Sequence, residues 1–449
     1  MAPPPPGRRL TPFRADPHDR EILRLALPAL GALVAEPLYI LSDTAVVGRI
    51  GTDELAGLAV ASTILLLGYS IFIFLAYGTT AAVARLLGAG EHAAAAHQAV
   101  QSLWLATLIG VALTVLGLLF AAPLVTLLGA EGAVATNALI YLRISLLGVP
   151  AMLVMLAGTG YLRGLQDTRT PLVIAVASAL ANLVLEVVLI FGFGFGIGAS
   201  ALSTVVAQYG AAAVYVVWVH RAVRDHEVAL GPHWATIGGL GRVGRDLFLR
   251  TLALRGSFTV SVAVAARFGP VALAGYSIAI EIWNLLALTL DAIAIAGQSL
   301  VGRFLGASDV DEARSAGRRM LQWGVLSGVA MGVVVAALHT VLPRLFTTDP
   351  EVVAAAASSL LAVALMQPIN GVAFTLDGLL IGAGDVGYLA VAMFVSAAMF
   401  VPAAVAVSVS DVGIGWLWAA LGLFMTARAV TLGVRWRSDG WAVVGARRG

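Results

Sequence analysis

Apolar residues dominate the chain in runs that recur from about residue 22 to residue 434, each broken only briefly by polar or charged positions. A helix needs about 20 apolar residues to cross a bilayer. The runs predict twelve such spans, roughly at 22–48, 56–84, 98–122, 135–162, 171–193, 199–220, 246–267, 273–301, 316–342, 352–380, 387–409 and 414–434. A water-soluble bundle would carry a polar stripe along each helix, and these runs carry almost none. The intervening stretches are short except near 221–245, which reads as an amphipathic linker. The predicted organisation is an N-terminal tail (1–21), a first lobe of six helices (22–220), the linker (221–245), a second lobe of six (246–434) and a C-terminal tail (435–449).

The two lobes are copies. RIGTDELAGLAVA from Arg49 and RFGPVALAGYSIA from Arg267 are identical at six of 13 positions, an offset of 218. The same offset, without a gap, sets RLLGA from Arg85 against RFLGA from Arg303, Pro150 against Pro368, Gly160 against Gly378, Gly164 against Gly382 and Asp167 against Asp385. Six helices is an even number, so both copies run the same way through the membrane. They are expected to relate by a pseudo-two-fold axis along its normal, enclosing a central cavity.

Composition removes several classes of function. The chain is 60% hydrophobic and 12% charged, with a mean hydropathy of +0.94, whereas soluble domains carry roughly 25% charge. It has no cysteine, which excludes disulfides and thiolate metal sites. All 27 basic residues are arginine, which excludes a lysine-containing phosphate loop and a lysine Schiff base. An ATP-driven pump would need its motor on another chain. The N-terminus lacks the short apolar core and cleavage site of a signal peptide, so the first span reads as a retained helix.

Arginine placement sets the expected topology. With the N-terminus in the cytoplasm, 21 arginines fall on that side and three (Arg49, Arg267, Arg344) on the other, while Arg143, Arg255 and Arg428 lie within spans. That asymmetry places both termini in the cytoplasm of a bacterial inner (plasma) membrane. It also explains a pI near 9.1 without nucleic acid as a partner. The expected partners are the lipid bilayer and small-molecule substrates, with the chain acting as a monomer.

The spans contain six acidic residues: Glu36, Asp43, Glu186, Glu281, Asp291 and Asp377. Each costs about 2.5–3.5 kcal/mol on insertion scales, so each needs a reason. A buried ion pair is one reason, and a titrating group beside a cavity is another. At the 218-residue offset none of the six has an acidic counterpart: Asp43 meets Ser261, Glu186 meets Ala404 and Asp377 meets Thr159. The scaffold is duplicated and the chemistry is not. Glu36, Tyr39 and Asp43 share one face of the first helix, beside Pro37, which removes a backbone hydrogen bond and lets that helix bend. Asn182 and Glu186 share a face of the fifth. Two carboxylates brought together in a low-dielectric site favour keeping a proton between them, which would let the pair load and release one.

These residues carry a resemblance. LSDTAVVGRIG, YLRGLQDTRTPL and NLVLEVVL resemble the helix-1, helix-4/5 and helix-5 segments of the multidrug and toxic compound extrusion (MATE) exporters, and more narrowly their DinF-like branch. The resemblance runs from about residue 20 to 435. It implies an all-α exporter whose coupling site, carried over position by position, comprises Tyr39, Asp43, Asn182, Glu186 and Thr204. Two departures stand out: Glu186 where that branch usually has aspartate, and Glu36 as an additional acid. In the second lobe Asp291 and Asp377 also match acidic positions found in parts of the family. The helix-7 acid of the NorM-like branch is replaced by Arg255, which is expected to neutralise Glu281, Asp291 or Asp377 and opposes a sodium site there.

The sequence therefore reads as a proton-driven antiporter exporting amphipathic or cationic molecules by alternating access, with no cofactor and no metal. Sodium coupling is the alternative. A lipid-linked saccharide flippase of the same superfamily would call for a cavity lined by several arginines, for which only Arg143 and Arg255 stand as candidates. A membrane enzyme would show interfacial His/Asp or Ser/His groupings, and none is found in the sequence. GFGFGIG at 192–198 reads as a tight turn rather than a dinucleotide fingerprint, since no strand precedes it.

Overall fold

The first helix begins where the sequence supplies a start. Asp16 accepts the His18 N–H at 3.0 Å while the Asp19 carboxylate accepts the Asp16 N–H at 2.9 Å. Pro17 fills the first helical position, where no N–H is needed. Asp309 and Asp349 cap two later helices in the same way. The structure, a computed structural model, describes residues 16–410 and 412–446. The tail arginines Arg8, Arg9, Arg14, Arg447 and Arg448, and with them most of the expected N-terminal tail, lie outside the described residues.

Fourteen α-helices are described. The first lobe holds α1 (Pro17–Val47), α2 (Thr52–Phe72), α3 (Phe74–Gly88), α4 (His92–Leu127), α5 (Gly132–Leu146), α6 (Val149–Gly164), α7 (Arg169–Val187) and α8 (Ile197–Asp225). The second holds α9 (Trp234–Ala266), α10 (Pro270–Gly306), α11 (Val310–Leu338), α12 (Pro350–Gly382), α13 (Val386–Val409) and α14 (Gly415–Arg437). Among the described residues, ten helices are individually long and apolar enough to span a bilayer, and the α5–α6 pair, bent by 48°, makes an eleventh. The predicted second span is likewise two helices, α2 and α3, which meet at Ile73. GFGFGIG begins in a π-helical turn at Val188–Gly192, makes the predicted connection and enters α8.

The amphipathic stretch 221–245 is mostly helical. Its first residues end α8 and its last twelve begin α9, leaving 226–233 as the connection between lobes. That connection is fastened to α4. Gln101 donates to the Gly231 carbonyl at 3.0 Å and accepts the His233 N–H at 2.7 Å, and Trp104 donates to the Leu230 carbonyl at 2.8 Å.

The internal repeat is visible in the packing of glycines. A Cβ on Gly57 would strike Asn137 and Ala138, and one on Gly275 would strike Ala355 and Ala356, the same neighbours 218 residues on. Gly160 against Ala76 and Gly378 against Ala294 repeat the relation, as do Gly110 against Pro150 and Gly328 against Pro368. One pair crosses between lobes. A Cβ on Gly88 would land on the Arg303 carbonyl, and one on Gly306 on the Arg85 carbonyl. This reciprocal contact is what a two-fold axis produces where α3 and α10 cross, and small residues allow such close backbone approach. Gly88→Ala should therefore push the lobes apart and cost about 1–3 kcal/mol. The check is the melting temperature of the purified protein, which should fall; an unchanged value would mean the crossing is slack.

The ends of the helices nearest residues 16 and 446 form what we call the terminal side, and there the lobes are tied together. Arg319 of α11 holds both Asp19 oxygens at 2.6 and 2.7 Å, and Trp323 donates to the same carboxylate at 2.8 Å. Arg303 of α10 pairs with Glu21 at 2.9 Å and donates to Gln166 at 2.6 Å. The terminal side is closed.

Candidate functional site

Four helices of the first lobe converge on Asp43, which is 6% exposed. Ser200 of α8 donates to its Oδ1 at 2.5 Å and Tyr141 of α5 to its Oδ2 at 3.3 Å. Glu186 of α7, wholly buried, lies within electrostatic reach of Asp43 and Ser200, yet neither of its oxygens accepts a well-formed hydrogen bond. One turn before it, buried Asn182 turns a side-chain oxygen with no partner into the protein. The Thr204 hydroxyl gives its only proton to the Ser200 carbonyl at 3.1 Å, so the Tyr39 hydroxyl, 2.7 Å away, donates to Thr204.

Helical spacing explains the convergence. Tyr39 and Asp43 are four residues apart on α1, Asn182 and Glu186 four apart on α7, Ser200 and Thr204 four apart on α8, so each helix presents one polar edge. Just past Glu186 the ladder widens into the π-helical turn at Val188–Gly192, a local shift of register often found beside functional groups. Two carboxylates share this buried site in unequal surroundings, and no salt bridge reaches either among the described residues.

The structure brings together Tyr39, Asp43, Glu186 and Thr204, buries Asn182 one turn before Glu186 on α7, and leaves Glu36 exposed on α1. Tyr141 and Ser200 were missed. Ser200 had a signal, since it stands one turn before Thr204 on the same face. Tyr141 had none beyond being a polar aromatic within a span.

The second lobe is built differently, and the expectation that Arg255 neutralises a second-lobe acid is corrected for Asp377. Asp377 of α12 is held by Arg250 of α9, through Nε to Oδ1 at 3.1 Å and Nη2 to Oδ2, and both residues are buried. Arg255 is exposed and makes no salt bridge among the described residues. In the arginine count Arg250 is one of the 21 on the cytoplasmic side, near the start of the predicted span 246–267. Because α9 starts at Trp234 rather than 246, Arg250 falls in mid-helix instead. Arg85 and Arg163, also counted on that side, are buried too. Arg428 of α14 is 3% exposed, lies over the rings of Phe374 at 5.6 Å and Phe424 at 5.9 Å, and donates to the Met425 sulfur at 3.4 Å. Asp291 stands within electrostatic reach of Arg250, Arg428, Arg163 and Arg255, while Glu281 is exposed on α10. Buried arginines are thus more numerous than the sequence suggested. Arg250 is committed to Asp377, Arg85 to main-chain carbonyls (below) and Arg428 to aromatic faces. Among the described residues no group of three or more His, Cys, Asp or Glu side chains could hold a metal.

Two repeated helical lobes, closed at one side and carrying a buried carboxylate pair, define a membrane transporter. The family model MatE matches the chain twice, at residues 28–188 and 247–405, once per lobe. The chain is 35% identical to Protein DETOXIFICATION 44, chloroplastic, of Arabidopsis thaliana, over 91% of this chain and 80% of that one. It is 28% identical to DNA damage-inducible protein F of Escherichia coli, over 93% and 92%. Its fold matches that of a MOP superfamily transporter from Pyrococcus furiosus with a TM-score of 0.85 at 22% identity, covering 95% of this chain and 96% of that one. The chain belongs to the MATE family, and it is a multi-pass membrane exporter of that family rather than an enzyme.

Proposed function

We propose that this exporter is a proton antiporter, moving amphipathic or cationic small molecules out of the cytoplasm against inward proton flow, with both termini in the cytoplasm of a bacterial inner membrane. The observation that carries the reading is the contrast between the Asp43–Glu186 pair and Asp377. Asp43 and Glu186 share a buried site with hydroxyl partners and no salt bridge, whereas the buried Asp377 is neutralised by Arg250. A carboxylate locked to an arginine has little reason to titrate near neutral pH; a carboxylate pair without a cation does. Protonation of the pair removes its charge, and the lobes then rock about the α3–α10 crossing to expose the cavity to the other side.

The test is flux of a fluorescent amphipathic cation, ethidium, in proteoliposomes with pH and sodium gradients imposed separately. A pH gradient alone should drive ethidium movement without sodium. Sodium is the second reading, because Asn182, Thr204 and both carboxylates offer the oxygen donors a hard cation prefers. Strict sodium dependence with no response to a pH gradient would transfer the coupling role to sodium at these same residues.

A further inference from the structure

Beyond α14 the chain turns back and lies against both lobes. Trp441 is completely buried, stacked on Trp436 with ring centroids 4.0 Å apart, and donates its indole N–H to the Trp436 carbonyl at 2.9 Å. Arg314 of α11 lies over the Trp441 ring at 5.3 Å and ion-pairs with Asp439. Arg435 holds Asp385 at 2.6 Å and donates to the Gly440 carbonyl at 3.1 Å. All of these partners belong to the second lobe, so this part of the segment is fixed to it.

A few residues on, the segment meets the first lobe. Arg85 of α3, only 3% exposed, donates to the carbonyls of Val443 at 2.8 Å and Gly445 at 3.0 Å, and to that of Ala383 at the end of α12 at 2.8 Å. The Gly445 N–H returns to the Leu305 carbonyl of α10 at 2.9 Å. Ala446 packs against the first-lobe cluster containing Val83, Leu86 and Tyr161. Hydrogen bonds from a charged donor are roughly twice as strong as neutral ones, and a buried guanidinium deprived of acceptors is costly. Arg85 therefore gains most of its stabilisation from carbonyls that the second lobe supplies.

The repeat makes the arrangement interpretable. Arg303, 218 residues after Arg85, reaches the opposite way, to Gln166 and Glu21 of the first lobe. The two arginines flank the Gly88–Gly306 crossing. Arg303 grips Glu21 within α1 and Gln166 in the short turn that joins α6 to α7. Two of the three carbonyls that Arg85 holds, those of Val443 and Gly445, lie on a short non-helical segment, which can detach while every helix stays packed.

We propose that residues 438–446 form a strap that latches the lobes shut on the terminal side: Trp441 anchors it to the second lobe, its carbonyls hold Arg85 of the first, and its release is a step in opening that side. The strap rests on the alternating-access reading above, since a transporter that never opened its terminal side would need no latch.

The chain has no cysteine, so Ala93→Cys on α4 and Asp311→Cys on α11, both exposed positions on the terminal side, give a unique spin-labelled pair across the lobes. Distances are read in lipid nanodiscs over a range of pH and sodium concentrations. In the labelled parent the short, closed distance should dominate, with a minor longer one whose share responds to conditions. Deleting residues 442–449, which keeps the Trp441 anchor and removes both strap carbonyls, should raise the long-to-short ratio at least tenfold, since even one lost charge-assisted hydrogen bond is worth about a factor of ten. Arg85→Lys keeps the charge but loses the planar fork, and should raise the ratio about threefold. The strap is overturned if the deletion, or Arg85→Lys where the deletion does not fold, leaves the ratio at the parent value; a segment that only packs would lower the melting temperature and leave the ratio alone. A parent with one distance under every condition would remove the alternating-access reading, and the strap with it.

Discussion

Asp43→Asn is expected to reduce coupled export to the level of empty vesicles while the protein still inserts at wild-type abundance. Asparagine nearly matches aspartate in shape and still accepts a hydrogen bond from Ser200 or Tyr141, but it cannot take up or release a proton. The local cost is about 1 kcal/mol, because its amide group now faces one of the two donors that converge on Asp43. A purely structural Asp43 would therefore tolerate the change. Glu186→Gln should impair export less completely, since Asp43 keeps both of its donors. Glu186→Asp shortens the side chain by one methylene and restores the residue usual in the DinF-like branch, so activity should survive with a displaced pH optimum. Tyr141→Phe removes one donor and should move the pH profile more than it lowers the maximal rate. Export rate against pH, at matched membrane abundance, reads all four. Wild-type rates in Asp43→Asn would leave the first-lobe site without support and make Asp291 the next acid to test.

What the sequence disclosed and what it hid divide along physical lines. Long apolar runs and a repeat held in one register reveal membrane crossing and two-fold architecture, because both are properties of the chain itself. The acids of the proposed coupling site were legible for a related reason: a charge inside a span is expensive wherever it points. Broken helices were not legible. Nothing in GYSIFIFLAYG marks the interruption at Ile73, since α10 passes the equivalent position, Asp291, without a break. Hydroxyl partners were hidden as well, because serine and threonine cost little in a span and occur there for many reasons. The connection between lobes shows a third limit. Its arginines read as a surface signal, yet α9 draws the last twelve residues of that stretch into one long helix, and this shift of start is what carries Arg250 inside.

That shift leads to the second large effect, which concerns stability. Removing one partner of a buried ion pair strands the other charge in a low-dielectric interior and costs about 3–5 kcal/mol, whereas replacing both with apolar groups of similar volume is often neutral. Arg250→Ala and Asp377→Asn should each therefore lower the melting temperature of the detergent-purified protein by an amount on the order of 10 °C. Arg250→Met combined with Asp377→Leu should recover most of that loss. Arg250→Ala should be the more damaging single change, because it leaves the buried Asp377 carboxylate without its ion-pair partner, while Asp377→Asn still offers Arg250 an amide oxygen. Arg255→Ala is the internal control: the side chain is exposed and holds no carboxylate, so its melting temperature should stay near wild type. Equal losses in Arg250→Ala and Arg255→Ala would show that both guanidinium groups serve the second-lobe acids, and the contrast drawn between a locked second lobe and a titrating first lobe would then rest on Asp43 and Glu186 alone.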